Sequence, residues 1–199
     1  MRVVQLHEDR IRNNQAQLRS RRDELVESIK QAFNAVTRKG GVSLAETEPL
    51  DAGATERACL RIRAQQRDKH WSEVDLREHD PYGSGICFLD PIGFKYHAPA
   101  YMIDALTVGN ARLDDCEHDE WMGQDTILYR LSDLSDKEFF QLFDIQQRAC
   151  VARFLAFHIE LNYTTGNDDV LSALSDYWAS DLPDEEKAHL TAIWPDAFS

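Results

Sequence analysis

The chain lacks the features that mark membrane, secreted and disulfide-rich proteins. None of its segments approaches the roughly 18–20 consecutive apolar residues that a helix needs to span a bilayer. Its first ten residues, MRVVQLHEDR, contain no apolar run of signal-peptide length. The four cysteines are scattered and form no Cys-x-x-Cys pair, a usage typical of reduced thiols. We therefore expect a cytoplasmic protein that has no membrane partner.

The common motifs for nucleotide binding and nucleophilic catalysis are also missing. The sequence contains no Walker loop, no Gly-x-Gly-x-x-Gly and no Gly-x-Ser-x-Gly elbow. One short segment holds four side chains that could ligate a metal: Cys116, His118, Asp119 and Glu120. Their spacing matches neither a closed zinc site nor an EF-hand, so a solvated acidic loop is the better interpretation. We expect no cofactor, no metal and no enzymatic activity.

What the chain has in excess is negative charge, and this charge is unevenly placed. The formal net charge is −13, and residues 100–199 carry 20 Asp and Glu against 6 Lys and Arg. Residues 1–39 show the opposite balance, with 9 basic residues against 5 acidic ones. An acidic half repels nucleic acid and anionic lipids, and it attracts basic protein surfaces or divalent cations. The alternative is that the charge only keeps the protein soluble.

The spacing of apolar residues predicts a mainly α fold in one compact domain, residues 1–199. A long helix within 9–39 has an apolar stripe that includes Leu18 and Leu25, and it ends at Lys39-Gly40-Gly41. This N-terminal helix is either the first helix of a bundle or a docking arm. Residues 40–53 then form a connection with at most a short helical turn.

Further helices follow along the chain. The most apolar one covers about 145–161, with Asp144 as its N-cap, and is the expected buried central helix. Ser135 and Glu138 could form a capping box for an earlier start of this helix. Three other helices are expected, over about 55–69, 168–179 and 184–193.

The central run from Ile86 to Leu106 admits two interpretations. Asp90 before Pro91 is the pattern of an N-cap followed by a proline at the first helical position, so a short helix starts there, and Ala98-Pro99 repeats the signal. The alternative is one short β pair formed by Ile86–Leu89 and Phe94–Tyr96.

One enzymatic pattern deserves a test. Arg153 and His158 have the spacing of the Arg–(four residues)–His motif, which resembles that of helical, metal-independent ribonuclease domains of toxin systems. The resemblance implies that His158 would transfer a proton and that Arg153 would stabilise the developing negative charge. The two side chains point about 140° apart on one helix. A core helix with an edge arginine is therefore the preferred interpretation.

The central run also carries a family resemblance. Part of this run resembles the sequence pattern of a family of bacterial proteins of unknown function. The matching residues are Phe88-Leu89-Asp90-Pro91, Gly93-Phe94, Tyr96 and Pro99-Ala100-Tyr101. The similarity spans roughly residues 22–178 and implies a shared helical fold, but no activity. His97 stands where the resemblance leads us to expect an apolar residue. The proline, glycine and aromatic residues of the run suggest a structural corner.

The candidate partner-binding residues are a cluster of carboxylates beside a tryptophan: Asp114, Asp115, Glu117, Asp119, Glu120 and Trp121. A basic partner would offset their mutual repulsion, and the tryptophan would supply an apolar anchor. The leading hypothesis is an immunity protein or inhibitor that neutralises a basic toxin such as a nuclease. The alternatives are an adaptor with another partner and the ribonuclease above. If the cluster does not bind, Asp181 to Glu186 or the N-terminal helix is the next candidate.

Overall fold

A computed structural model describes residues 2–108, 122–162, 168–195 and 197–198, and this part of the chain is helical with no strand. The mainly α fold class is thereby confirmed. The α-helices, in chain order, are α1 (Arg2–Phe33), α2 (Leu44–Asp51), α3 (Glu56–Arg63), α4 (Leu76–His79), α5 (Pro91–Thr107), α6 (Gly123–Ser132), α7 (Glu138–Gln141), α8 (Ile145–Asn162), α9 (Asp168–Ala173) and α10 (Asp184–Ile193). A π-helical turn, Leu174–Trp178, directly follows α9.

Helix α8 is the buried central helix that the sequence predicts. Its first turn has a capping box, in which the Asp144 carboxylate accepts a hydrogen bond from the Gln147 N–H (2.9 Å) and the Gln147 side-chain oxygen accepts one from the Asp144 N–H (3.1 Å). Phe154, Leu155 and Phe157 are at most 3% exposed. The apolar residues around most of the circumference of α8 therefore lie in the core.

Helix α1 packs along α8 and α5. From Ile11 onward its apolar stripe, including Leu25 and Ile29, belongs to the same hydrophobic core. On its partly exposed side, the Arg21 guanidinium donates a hydrogen bond to the Glu160 carboxylate of α8 (2.8 Å). Burial of the stripe therefore holds α1 against the two longest helices that follow it.

Helix α1 ends earlier than predicted because distant side chains cap its last turn. It stops at Phe33 rather than at Lys39-Gly40-Gly41. The Trp71 indole donates a hydrogen bond to the carbonyl of Phe33 (2.9 Å), and the Gln147 amide donates to that of Ala32 (3.1 Å). Terminal helix carbonyls need such partners. Their donors come from elsewhere in the chain, so the local sequence does not reveal this end.

The Asp90-Pro91 pair starts α5 as predicted. The Asp90 carboxylate accepts hydrogen bonds from the N–H groups of Gly93 (2.8 Å) and Val42 (2.9 Å), and Pro91 occupies the first turn. A Cβ on Gly93 would lie 2.3 Å from the carbonyl oxygen of Val42, so this position requires glycine. The run is thus a structural corner that joins the start of α5 to the segment before α2.

The alternative of a β pair at Ile86–Leu89 and Phe94–Tyr96 is wrong. Residues Gly85–Phe88 form a 3₁₀ turn, and Phe94–Tyr96 lie inside α5. The reason is the capping at Asp90 together with a proline that cannot donate to a strand ladder. Pro99 does not start a second helix either, because α5 continues through it to Thr107.

Three smaller boundaries also differ from expectation. The helix predicted over 55–69 covers only Glu56–Arg63, and the chain leaves it before Asp68, whose carboxylate accepts a hydrogen bond from the Tyr96 hydroxyl (2.8 Å). Ser135 caps nothing at Glu138, because its hydroxyl and N–H both donate to Asp133. The helix predicted over 168–179 changes from α to π geometry after Ala173.

Candidate functional site

The binding cluster predicted from the sequence lies outside the described residues. This applies to all six of its members, Asp114, Asp115, Glu117, Asp119, Glu120 and Trp121, and also to Cys116 and His118. The cluster stays a prediction.

The fallback surface, Asp181 to Glu186, is partly used to hold the fold together. The Arg148 guanidinium of α8 binds both carboxylate oxygens of Asp181 (3.2 and 2.6 Å), and Arg153 donates to Glu186 (2.8 Å). These ion pairs fasten α10 and the turn before it to α8. Of this segment, only the carboxylates of Asp184 and Glu185 remain well exposed.

A hollow of about 620 Å³ lies between α6, α8 and α9, and we call it the acidic hollow. Its charged, titratable and aromatic lining residues are Asp125, Tyr129 and Asp133 of the α6 side, His158 of α8 and Asp169 of α9. Neither Lys nor Arg is among the described residues that line it. The volume is within the range of ordinary ligand-binding clefts.

The α6 wall places an exposed tyrosine between two aspartates. Asp125, Tyr129 and Asp133 are spaced four residues apart, so they follow one face of the helix and its C-cap. Tyr129 is 60% exposed although it is a large aromatic residue. Hydrogen bonds from the hydroxyl and N–H of Ser135 stabilise the charged form of Asp133 and lower its pKa below the ordinary value. An exposed aromatic ring flanked by negative charge is a typical anchor for a basic partner.

The opposite face of α6 fixes this wall in position. Ile127 and Leu131 are fully buried, and the Trp178 indole donates a hydrogen bond to the carbonyl of Leu131 (3.0 Å). A Cβ on Gly83 would lie 2.2 Å from the backbone nitrogen of Gly123, so the loop between α4 and α5 that contains Gly83 touches the start of α6. The α6 wall of the acidic hollow is therefore held against the core.

A second concavity of about 830 Å³, the apolar groove, lies between α1, residues 70–77 and the C-terminal half of α5. Trp71, Val74 and Ile103 contribute to its lining. Its charges are balanced: Arg77 makes a bidentate pair with Asp104 (2.9 and 3.2 Å). The groove therefore has no net charge to select a partner.

The two residues of the ribonuclease-like pattern line different hollows. His158 faces the acidic hollow, whereas Arg153 lines a separate depression beside α1 and bonds to Glu186 and Ser28 (2.8 and 3.4 Å). This agrees with their angular separation on α8. Within one chain, the structure does not bring the pair to one point.

Other polar side chains in the interior have structural partners. Glu46 is fully buried and accepts hydrogen bonds from Ser43 and from the Arg63 guanidinium. Burial alone would raise the pKa of Glu46, but these hydrogen bonds outweigh it and the pKa is lowered. Burial and the neighbouring Asp80 carboxylate raise the pKa of Tyr101 far above its ordinary value, and its hydroxyl donates to Asp80. Nothing in the described part of the chain groups three metal-ligating side chains together.

The fold and surface define a helical protein with a candidate binding hollow, and none of the described helices has the length and apolarity to cross a membrane. The chain belongs to a family of unknown function, DUF6714, whose model matches residues 21–182. Membership of a family of unknown function agrees with the resemblance, whereas the run Phe88 to Tyr101 as the mark of that family stays a prediction. No curated protein and no solved structure is significantly similar to the chain.

Sequence reasoning missed the acidic hollow because it assigned no helix to residues 123–132. The signal was present in the four-residue spacing of Asp125, Tyr129 and Asp133 around the apolar pair Ile127 and Leu131. The contribution of Asp169 could not be read in this way, since it reaches the hollow through the packing of α9 against α6.

Proposed function

We propose that this chain is a protein-binding protein whose acidic hollow holds a basic segment of its partner. In the specific form of the proposal, it is an immunity protein or inhibitor that neutralises a basic toxin such as a nuclease. The observation that carries the proposal is the lining of the hollow. It combines three carboxylates with an exposed tyrosine, and no Lys or Arg lies among its described residues.

Like charges gathered around one concavity repel each other, and neither Asp125 nor Asp169 has an ion-pair partner in the described structure that would offset this repulsion. A cationic segment entering the hollow would offset that repulsion. The Tyr129 ring would supply apolar area and a cation–π partner at low entropic cost. The overall charge of −13 would also speed association with a basic protein.

An adaptor that binds a basic partner without inhibiting it would use the same surface. The two functions differ in what happens to the partner. An inhibitor abolishes the partner's activity at equal concentration, because it covers the active-site cleft, whereas an adaptor leaves that activity intact. Measuring activity of the bound partner therefore separates the two.

The first experiment identifies the partner through the hollow itself. A photo-crosslinking amino acid replaces Tyr129 in one variant and Leu60 of α3, which is 48% exposed, in a matched control. We expect a crosslink to a basic protein from position 129 and none from position 60 in the cells that produce the chain. Equal crosslinking from both positions would show that the contact is not made at the hollow.

The second experiment measures affinity for the crosslinked partner. Asp125→Asn with Asp169→Asn removes two negative charges from the hollow, and Asp184→Asn with Glu185→Gln removes two from α10. We expect the first pair to weaken binding about tenfold at low salt and to reduce its salt dependence, mainly through slower association. The control pair should change affinity much less. Equal effects from both pairs would mean that binding depends only on the net charge of the chain. That outcome would overturn the proposal that the partner binds in the acidic hollow.

A further inference from the structure

His97 is a histidine in the middle of α5 with no polar partner. Its side chain is 0% exposed, and neither ring nitrogen has a hydrogen-bond partner in the described structure. A neutral imidazole has one N–H donor and one acceptor, and a charged one has two donors. Burial without partners is unfavourable for the first form and much more so for the second.

The groups that face His97 cannot compensate a charge on it. Arg38, in the segment after α1, and His79, at the end of α4, are the cationic or titratable groups that act on it from other elements, and both disfavour a second positive charge. On α5 itself, the Tyr96 ring stands edge-on at 4.9 Å. The hydroxyls of Tyr96 and Tyr101 already donate to Asp68 and Asp80.

We propose that His97 makes the centre of α5 an acid-sensitive switch, in which the packed state of α5 exists only while this imidazole is uncharged. When the pH falls, the proton is taken up by a state in which α5 has separated from its neighbours and His97 reaches water. The contacts that would open are those with the segment containing Arg38 and with α4. The proposal does not depend on the binding partner.

The sign of the effect follows from linkage. Burial, with smaller contributions from Arg38 and His79, lowers the pKa of His97 from 6.5 to about 3. The opened or unfolded state therefore binds the proton first. Stability from the uncharged form is fully present above pH 6.5 and is lost progressively as the pH falls from 6.5 toward 3. Each pH unit in that window lowers the ratio of packed to opened molecules about tenfold.

The test compares the natural chain with His97→Leu, which replaces the imidazole by an apolar side chain of similar size. Urea unfolding is followed by tryptophan fluorescence at pH 7.5, 6.5, 5.5 and 5.0. Between pH 7.5 and 5.0 we expect the folding equilibrium constant of the natural chain to fall about 30-fold more than that of His97→Leu. His189→Gln, at a half-exposed imidazole of α10 that lies 3.3 Å from the Glu160 carboxylate, is the control and should keep the larger part of the natural acid response. Equal acid losses in the natural chain and in His97→Leu would overturn the proposal.

Two measurements on the natural chain keep the test decisive if His97→Leu fails to fold. Nuclear magnetic resonance of the imidazole carbons should show that His97 in the folded chain stays neutral at pH 5. Hydrogen-exchange protection factors should fall with acid at Phe94–Asp104 before they fall in α8. A folded-state His97 that titrates near pH 6.5, or α5 and α8 losing protection together, would rule out a local switch.

Discussion

Two groups of carboxylates in the described part of the chain differ in their surroundings, those that hold the fold and those that line the acidic hollow. Glu46, Asp80 and Asp90 each accept hydrogen bonds from two or more donors in other parts of the chain or in the same turn. Asp125 and Asp169 make no ion pair within the described residues and face a concavity. The comparison separates carboxylates whose charge the fold uses from carboxylates without an internal ion pair, and it is the second kind that we propose for a partner.

The largest effect is expected at Glu46. Glu46→Ala removes a buried carboxylate and leaves the Arg63 guanidinium and the Ser43 hydroxyl without their acceptor. We expect a loss of about 2–3 kcal/mol in the free energy of unfolding, at the low end for buried pairs because Arg63 can still reach water. Glu48→Ala, at an exposed position of the same helix, is the control and should stay within about 0.5 kcal/mol.

The pH dependence sharpens the assignment of Glu46. Its pKa is lowered below the ordinary value of 4.5 in the folded chain. The stability it contributes is therefore present above pH 4.5 and is lost as the pH falls through the lower folded-state pKa. Unfolding free energies of the natural chain and Glu46→Ala should converge in that acidic range. A constant difference between them would mean that packing, not the carboxylate charge, accounts for the loss.

An intermediate effect is expected at Tyr101. Tyr101→Phe removes the hydroxyl that donates to the buried Asp80 carboxylate, while the Gly85 N–H (2.9 Å) continues to donate to the same oxygen. We expect a loss of about 1–2 kcal/mol in chemical unfolding. The control, Tyr82→Phe, alters a tyrosine that is 76% exposed and should be neutral. If Tyr101→Phe and Tyr82→Phe were equally stable, the hydrogen bond from Tyr101 to Asp80 would not contribute to stability, and Asp80 would not belong to the carboxylates that hold the fold.

The sequence predicts the parts of this fold whose signals are local. The capping pattern at Asp90-Pro91 and the apolar circumference of 145–161 correctly predict the start of α5 and the buried α8. The predicted end of α1 is wrong because the donors that cap the helix, Trp71 and Gln147, are 38 and 115 positions away from their acceptors. The candidate site divides in the same way. The α6 side has a readable spacing, whereas the side formed by His158 and Asp169 depends on tertiary packing.

The smallest effect is expected at the acidic hollow, and it is the strongest check of the comparison. Asp125→Asn and Asp169→Asn each remove a charge that has no ion-pair partner in the described structure, so no internal interaction is lost. Relief of like-charge repulsion should offset the slight loss of a favourable charge near the N-termini of α6 and α9. We expect each variant to unfold within about 0.5 kcal/mol of the natural chain, in contrast with Glu46→Ala and Tyr101→Phe. A loss above about 1 kcal/mol would place these aspartates in the group that holds the fold. That result would contradict the proposal that the acidic hollow binds a partner.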